Sequence, residues 1–167
     1  MAETNLRVGL CGIGLDAYWP QFQGLQARLE GYVRRVAERL ERAGAAVENP
    51  GLVDTPQRGR EAGHACRRAD VDLLVIYVTT YALSTTVLPM VQRARVPVLV
   101  LNLQPEAAIN YEAFNRLRDR TAMTGEWLAF CSACPVPEIA NVLSRAAEIQ
   151  SSISVHTASS PSTPVTW

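Results

Sequence analysis

One α/β domain on a doubly wound parallel sheet is the fold this sequence predicts, and three observations predict it. Continuous apolar runs rich in Val, Ile and Leu occupy residues 6–13, 71–80 and 96–103, as in strands covered by helices on both faces, where no side chain alternates with solvent. Amphipathic helical patterns fill the intervals between them. A chain of 167 residues, 48% of them hydrophobic, suffices for one real core. Alternating strand and helix then closes right-handed crossovers into a parallel sheet, for which the expected order is 2-1-3-4, with helices on both faces.

The elements follow in order. "LRVGLCGI", residues 6–13, is the first strand. In residues 20–43, Leu25, Leu29, Tyr32, Val33, Val36 and Leu40 recur at three- and four-residue spacing and Gly44 supplies the stop, which predicts a helix with one face on the sheet. Residues 45–54 form a weaker second strand, after which Thr55 and Pro56 stand at the N-cap and first position of a short helix reaching Ala69. "VDLLVIYVTT" is the third strand. Ser84 caps a further helix to Arg95 that Pro89 must bend or delay, and "VPVLVLNL" is the fourth strand. Beyond Gln104 the pattern is helical only, in "NYEAFNRLRDR", "TGEWLAFCSAC" and "VPEIANVLSRAAE". The domain is expected over residues 1–148. Residues 149–167 are rich in Ser, Thr and Pro and are expected to be mostly disordered, although "SISVH" offers one extra edge strand.

Charge and hydropathy exclude several partners. The 16 basic and 16 acidic side chains cancel and are mixed along the chain, so there is no basic footprint for nucleic acid or an anionic membrane. All 16 basic residues are Arg, a bias of base composition and not of chemistry. No run approaches the roughly 18 apolar residues of a membrane span, and "MAETNLR" lacks the layout of a secretion signal. The expected location is the cytoplasm, with the four cysteines as thiols.

Ligands of open α/β sheets bind beyond the carboxyl ends of the strands, where residues 12–21, 79–85 and 102–107 meet. The glycines of the first segment, Gly9, Gly12 and Gly14, are spaced G-x-x-G-x-G and not G-x-G-x-x-G, and Pro20 follows where a glycine turn would open the helix. That excludes a dinucleotide loop, and the lack of Gly-Lys-Ser/Thr excludes a Walker loop. Asp16, Tyr18, Trp19, Gln21, Thr79, Thr80, Tyr81, Asn102 and Gln104 instead combine aromatic faces, which stack on C–H surfaces, with directional partners for hydroxyls. This mixture points to a sugar. The plainer alternative is that Tyr18 and Trp19 cover the sheet end while Asn102 satisfies loop backbone.

Other polar residues read as structural. Cys131 and Cys134 in "CSAC" have no second close pair to complete a zinc site and do not directly follow a strand as a thioredoxin-type motif does; they are expected to be small core residues. His64 is expected to be solvated, and Glu106, Glu112 and Glu126 to be helix-surface charges. No nucleophile, base and orienter assemble from the chain.

"GLDAYWPQFQGL", "YVTTYALSTTVLPMVQRARVPVLVLNLQP", "MTGEW" and "VPEIANVLSRA" resemble the N-terminal domain of the L-arabinose isomerase family, within the L-fucose/L-arabinose isomerase superfamily. The likeness runs from about Leu6 to Ala147. It implies a Rossmann/flavodoxin-like domain of a cytoplasmic, oligomeric aldose–ketose isomerase that uses a divalent metal, usually manganese. The metal's Glu and His ligands are expected in later domains, so no catalytic residue, metal ligand or cofactor is expected in this chain. The N-terminal loops are expected to reach a neighbouring subunit's active site and contact the sugar. Carried across by position, Tyr18, with Trp19 and Gln21 beside it, and Gln104 are the implied contacts, with Asp16, Thr80 and Asn102 as further candidates. The family's first loop is shorter and carries a Gln before its Tyr, where this chain has Gly14, Leu15 and Asp16. The Ser/Thr/Pro tail replaces the family's continuation, which reads as a truncated or frameshifted product or a fragment. The alternative expectation is a stand-alone sugar-binding or regulatory module.

Overall fold

The computed structural model describes residues 5–106, 108–149 and 154–159. Strand β1 (Arg7–Ile13) pairs in parallel with β2 (Ala46–Val53) on one side and β3 (Leu73–Val78) on the other. Strand β4 (Val98–Asn102) continues the sheet beside β3, and β5 (Val155–Ser159) lies along β4. The order β2-β1-β3-β4-β5 is the expected 2-1-3-4 arrangement plus one edge strand, a doubly wound sheet of flavodoxin-like order. "SISVH" anticipates β5, which runs three residues beyond His156. Residues 150–153 and 160–167 of the tail expected to be disordered lie outside the described residues.

Among the described residues, six α-helices connect and cover these strands: α1 (Leu25–Arg42), α2 (Pro56–Arg68), α3 (Ser84–Ala94), α4 (Tyr111–Arg116), α5 (Arg120–Leu128) and α6 (Val136–Ile149). The strands' two-residue side-chain period sorts the core into two layers. Cys11, Ile13, Leu74, Ile76, Val78, Val98 and Val100 pack with Cys66, Val87, Met90, Val91, Ile139 and Leu143 of α2, α3 and α6. Val8, Leu10, Leu52, Val75 and Tyr77 pack with Leu29, Val33 and Val36 of α1, with Leu128 at the end of α5 and with Cys131 beyond it. Burial on both faces explains why the strands read as unbroken apolar runs.

The glycines of "GLCGIG" serve this packing. A Cβ on Gly12 would overlap the Val33 side chain of α1, and one on Gly14 would stand 2.8 Å from the Trp19 ring. Small residues here let the helix and an indole lie directly on β1, which gives the glycine-rich run a purpose other than cradling phosphate.

Two helix starts differ from the sequence expectation. Helix α1 begins at Leu25 and not near Pro20. Asp16–Tyr18 forms a 3-10 turn, and the Trp19 and Phe22 N–H groups donate to Asp16 and Tyr18 carbonyls. Gly24 at φ 81° then precedes the helix, a left-handed conformation that favours glycine. Helix α3 begins with Ser84 as its first residue and not as its cap. Ser84 N and Oγ instead donate to Glu138 Oε1 of α6, at 3.2 and 2.7 Å. A carboxylate at this end of α3 satisfies free N–H groups and complements the helix dipole. Thr55 caps α2 as expected, accepting from Arg58 N at 3.2 Å. Among the described residues, no helix is long and apolar enough to cross a membrane.

Candidate functional site

The switch point of this strand order lies between β1 and β3, where open sheets of this kind leave a crevice. Here the crevice is bridged: Thr79, just past β3, is buried and donates its hydroxyl to the Ile13 carbonyl at 2.7 Å. The neighbouring Thr80 hydroxyl is fully buried and donates to the Leu128 carbonyl at 2.7 Å. Both threonines therefore tie the ends of strands and helices together at the ligand edge, instead of presenting hydroxyls to its surface.

Tyr18 and Gln104 each lie beside the turn between α5 and α6. The half-buried Tyr18 ring packs edge-on against Phe22, with centroids 5.8 Å apart. Burial raises its phenol pKa, as do the neighbouring Cys131, Tyr81 and Cys134. Gln104 Nε2 donates to the buried Ser132 hydroxyl at 2.9 Å, which fixes the carboxamide of the loop after β4 against the same turn. Cys131 is buried in this turn and Cys134 is exposed. The expectation that both are core residues is thus corrected: α5 ends at Leu128, so the helical pattern does not carry through "CSAC".

Trp19 points the other way. Its Nε1 donates to Asp54 Oδ2 at 2.6 Å, while Arg58 Nη1 reaches the same oxygen at 3.5 Å. Asp54 lies one residue past β2 and is only 4% exposed; its Oδ1 is buried with no hydrogen-bond partner. Sequence reasoning missed this carboxylate, although an acid between a strand and a Thr-Pro helix start was a usable signal. At the other side of the edge, Asn102 ends β4, and its Oδ1 is likewise buried without a partner. Asp16 is exposed and opens the 3-10 turn, its Oδ1 accepting from N of the next residue, Ala17, at 2.8 Å.

Gln21 belongs to a third environment. Its Nε2 donates to the Ala17 carbonyl at 2.5 Å, and the residue lines a cavity of about 560 Å³ between the start of α1 and α5, with Phe22, Arg28, Thr121, Gly125 and Glu126 around it. That volume is within the usual range for small-molecule sites. Arg28 and Glu126 close one wall with a two-point ion pair at 2.5 and 3.2 Å. Glu126 lies on α5 as expected but is held in the ion pair at the cavity wall; Glu112 on α4 and His64 are exposed as anticipated, whereas Glu106 is exposed in a bend and not on a helix.

Thus Tyr18 and Gln104 lie beside one turn, Trp19 is held by Asp54, and Gln21 faces a cavity, so the candidate residues fall into three environments and do not converge on one site. Among the described residues, no three His, Cys, Asp or Glu side chains gather in a way that could hold a metal ion. No family model matches this chain, and no curated protein sequence matches it.

Proposed function

We propose that this chain is the N-terminal, sugar-contacting α/β unit of a metal-dependent aldose–ketose isomerase of the L-arabinose isomerase type. The observation that carries the reading is that Tyr18 and Gln104, the positions matched by resemblance, come from two different loops and both lie beside the turn between α5 and α6. Their role is contact: the phenol and carboxamide orient sugar hydroxyls at a neighbouring subunit's centre, and these residues move no proton.

A second reading is a stand-alone sugar-binding module. It is favoured by the cavity of about 560 Å³ between α1 and α5, a volume within the range of small-molecule sites. One set of measurements separates the two. In a titration of the 167-residue chain with L-arabinose and L-fucose, the module reading expects dissociation constants near about 1 mM, worth about 4 kcal/mol. Binding should be lost in Gln21→Ala and Thr121→Ala, which alter the cavity lining, and kept in Glu112→Ala. The isomerase reading expects no ketose from the chain alone with manganese, and contact with sugar only in an assembly that supplies the metal ligands. Ketose formation by the isolated chain would overturn both.

A further inference from the structure

We propose that Cys131 and Cys134 form a thiol–disulfide exchange site that takes a low-molecular-weight disulfide of the glutathione type. The two sulfurs lie 2.9 Å apart, with the Cys131 thiol directed at the Cys134 sulfur. A disulfide bond is about 2.05 Å long, so closure needs less than about 1 Å of approach. Both cysteines lie between the end of α5 at Leu128 and the start of α6 at Val136, so ring closure does not unwind a helix.

Access divides the roles. Cys134 is exposed, whereas Cys131 is only 4% exposed. Burial, followed by the bond to Cys134, pushes the Cys131 thiol up to about 12, which keeps it protonated while its neighbour reacts. The Cys134 sulfur, as thiolate, attacks one sulfur of the small disulfide, forming a mixed disulfide and expelling one small thiolate, which takes up the proton that Cys134 lost. The Cys131 sulfur then gives up its proton and attacks the Cys134 sulfur. The protein disulfide forms, and the second small thiolate leaves with that proton. Two protein thiols are oxidised and one small disulfide is reduced to two thiols. Ser132, which holds Gln104, lies inside the ring so formed. Cys11 of β1 and Cys66 of α2 are wholly buried and provide an internal reference.

The test treats the whole folded chain with oxidised glutathione, quenches with acid, alkylates, and maps the four cysteines by mass spectrometry. The wild type should yield a Cys131–Cys134 disulfide, with Cys11 and Cys66 unmodified until the chain is unfolded. Cys131→Ser should stop at the mixed disulfide and accumulate glutathione on Cys134 at least about tenfold above the wild type, since no resolving thiol remains. Phenylarsine oxide, which bridges neighbouring thiols without oxidising them, should bind the unaltered protein one to one and protect both cysteines from alkylation. A wild type that accumulates the mixed disulfide as Cys131→Ser does, that stays reduced in excess oxidised glutathione, or that fails to take the arsenical would overturn the proposal.

Discussion

The α2–α3 face of the sheet and the α4–α5 segment are both helical, but they are held by different forces. In the first, Val87, Met90 and Val91 of α3 and Cys66 of α2 are 0% exposed and meet Ile76 and Val78 of the central strand. In the second, α4 buries no side chain, and α5 buries only Leu128. Polar attachments replace apolar burial there. Asn110 and Asp119 cap the two helices, Arg28 pairs with Glu126, and Thr80 bonds to the Leu128 carbonyl. The segment that walls the cavity and leads to the Cys131–Cys134 turn thus rests on the structure's weaker bonds, as expected where local opening is cheapest.

Core truncation probes this difference most strongly. Ile76→Ala should cost about 2–5 kcal/mol of global stability, the range for a buried large-to-small change. Leu117→Ala, just past α4 and 39% exposed, should stay within about 0.5 kcal/mol. Urea unfolding of the two variants measures both, and a comparable loss from Leu117→Ala would mean that the α4–α5 segment belongs to the same cooperative core.

Next in size is Thr80→Val. The buried Leu128 carbonyl would lose its hydroxyl donor, a change worth about 1–3 kcal/mol. The loss should be local. Hydrogen exchange should quicken across residues 120–134 while β1 and β3 amides keep their protection; uniform quickening would contradict the division into two regions. A smaller effect is expected from Glu126→Gln. Arg28 and Glu126 are each about one-third exposed at their side chains, so the pair should contribute at most about 1 kcal/mol and fade with added salt. Thermal unfolding at two salt concentrations checks the magnitude and its screening.

These contrasts match what could be read from the sequence. The strands were legible because burial on both faces leaves a local record, an unbroken Val/Ile/Leu run. The α2 start was legible because Thr55–Pro56 is a local capping signal. The site was legible only as a region. Trp19 and Asp54 are 35 residues apart, and nothing near either one records that the indole would bond to the carboxylate instead of facing a ligand. The start of α1 was misplaced because apolar periodicity cannot see that the residues around Pro20 close into turns before Gly24. "CSAC" reads as a helix continuation in composition, and only the end of α5 at Leu128 frees it to become a turn with one thiol inside and one outside.

The smallest effect at neutral pH, and the one confined to a single atom of that turn, concerns the Cys131 thiol. Its pKa is held near about 12 against an ordinary value of 9.0, chiefly by burial and then by the bond to Cys134. An acid whose pKa is raised on folding binds its proton more tightly in the folded than in the unfolded chain. Its contribution is therefore complete below pH 9 and is lost as pH climbs through the folded value. Burial raises Tyr18 and Tyr77 as well, so the whole protein should weaken in alkali. Cys131→Ala isolates one share of that loss. Measured by urea unfolding under reducing conditions, the stability gap between wild type and variant should be constant from pH 6 to 8 and narrow steadily above pH 9. A gap that widened with pH would mean that the thiolate, and not the thiol, is the form the fold prefers, and the turn would then be a more polar environment than the packing of Cys131 against the α1 layer requires.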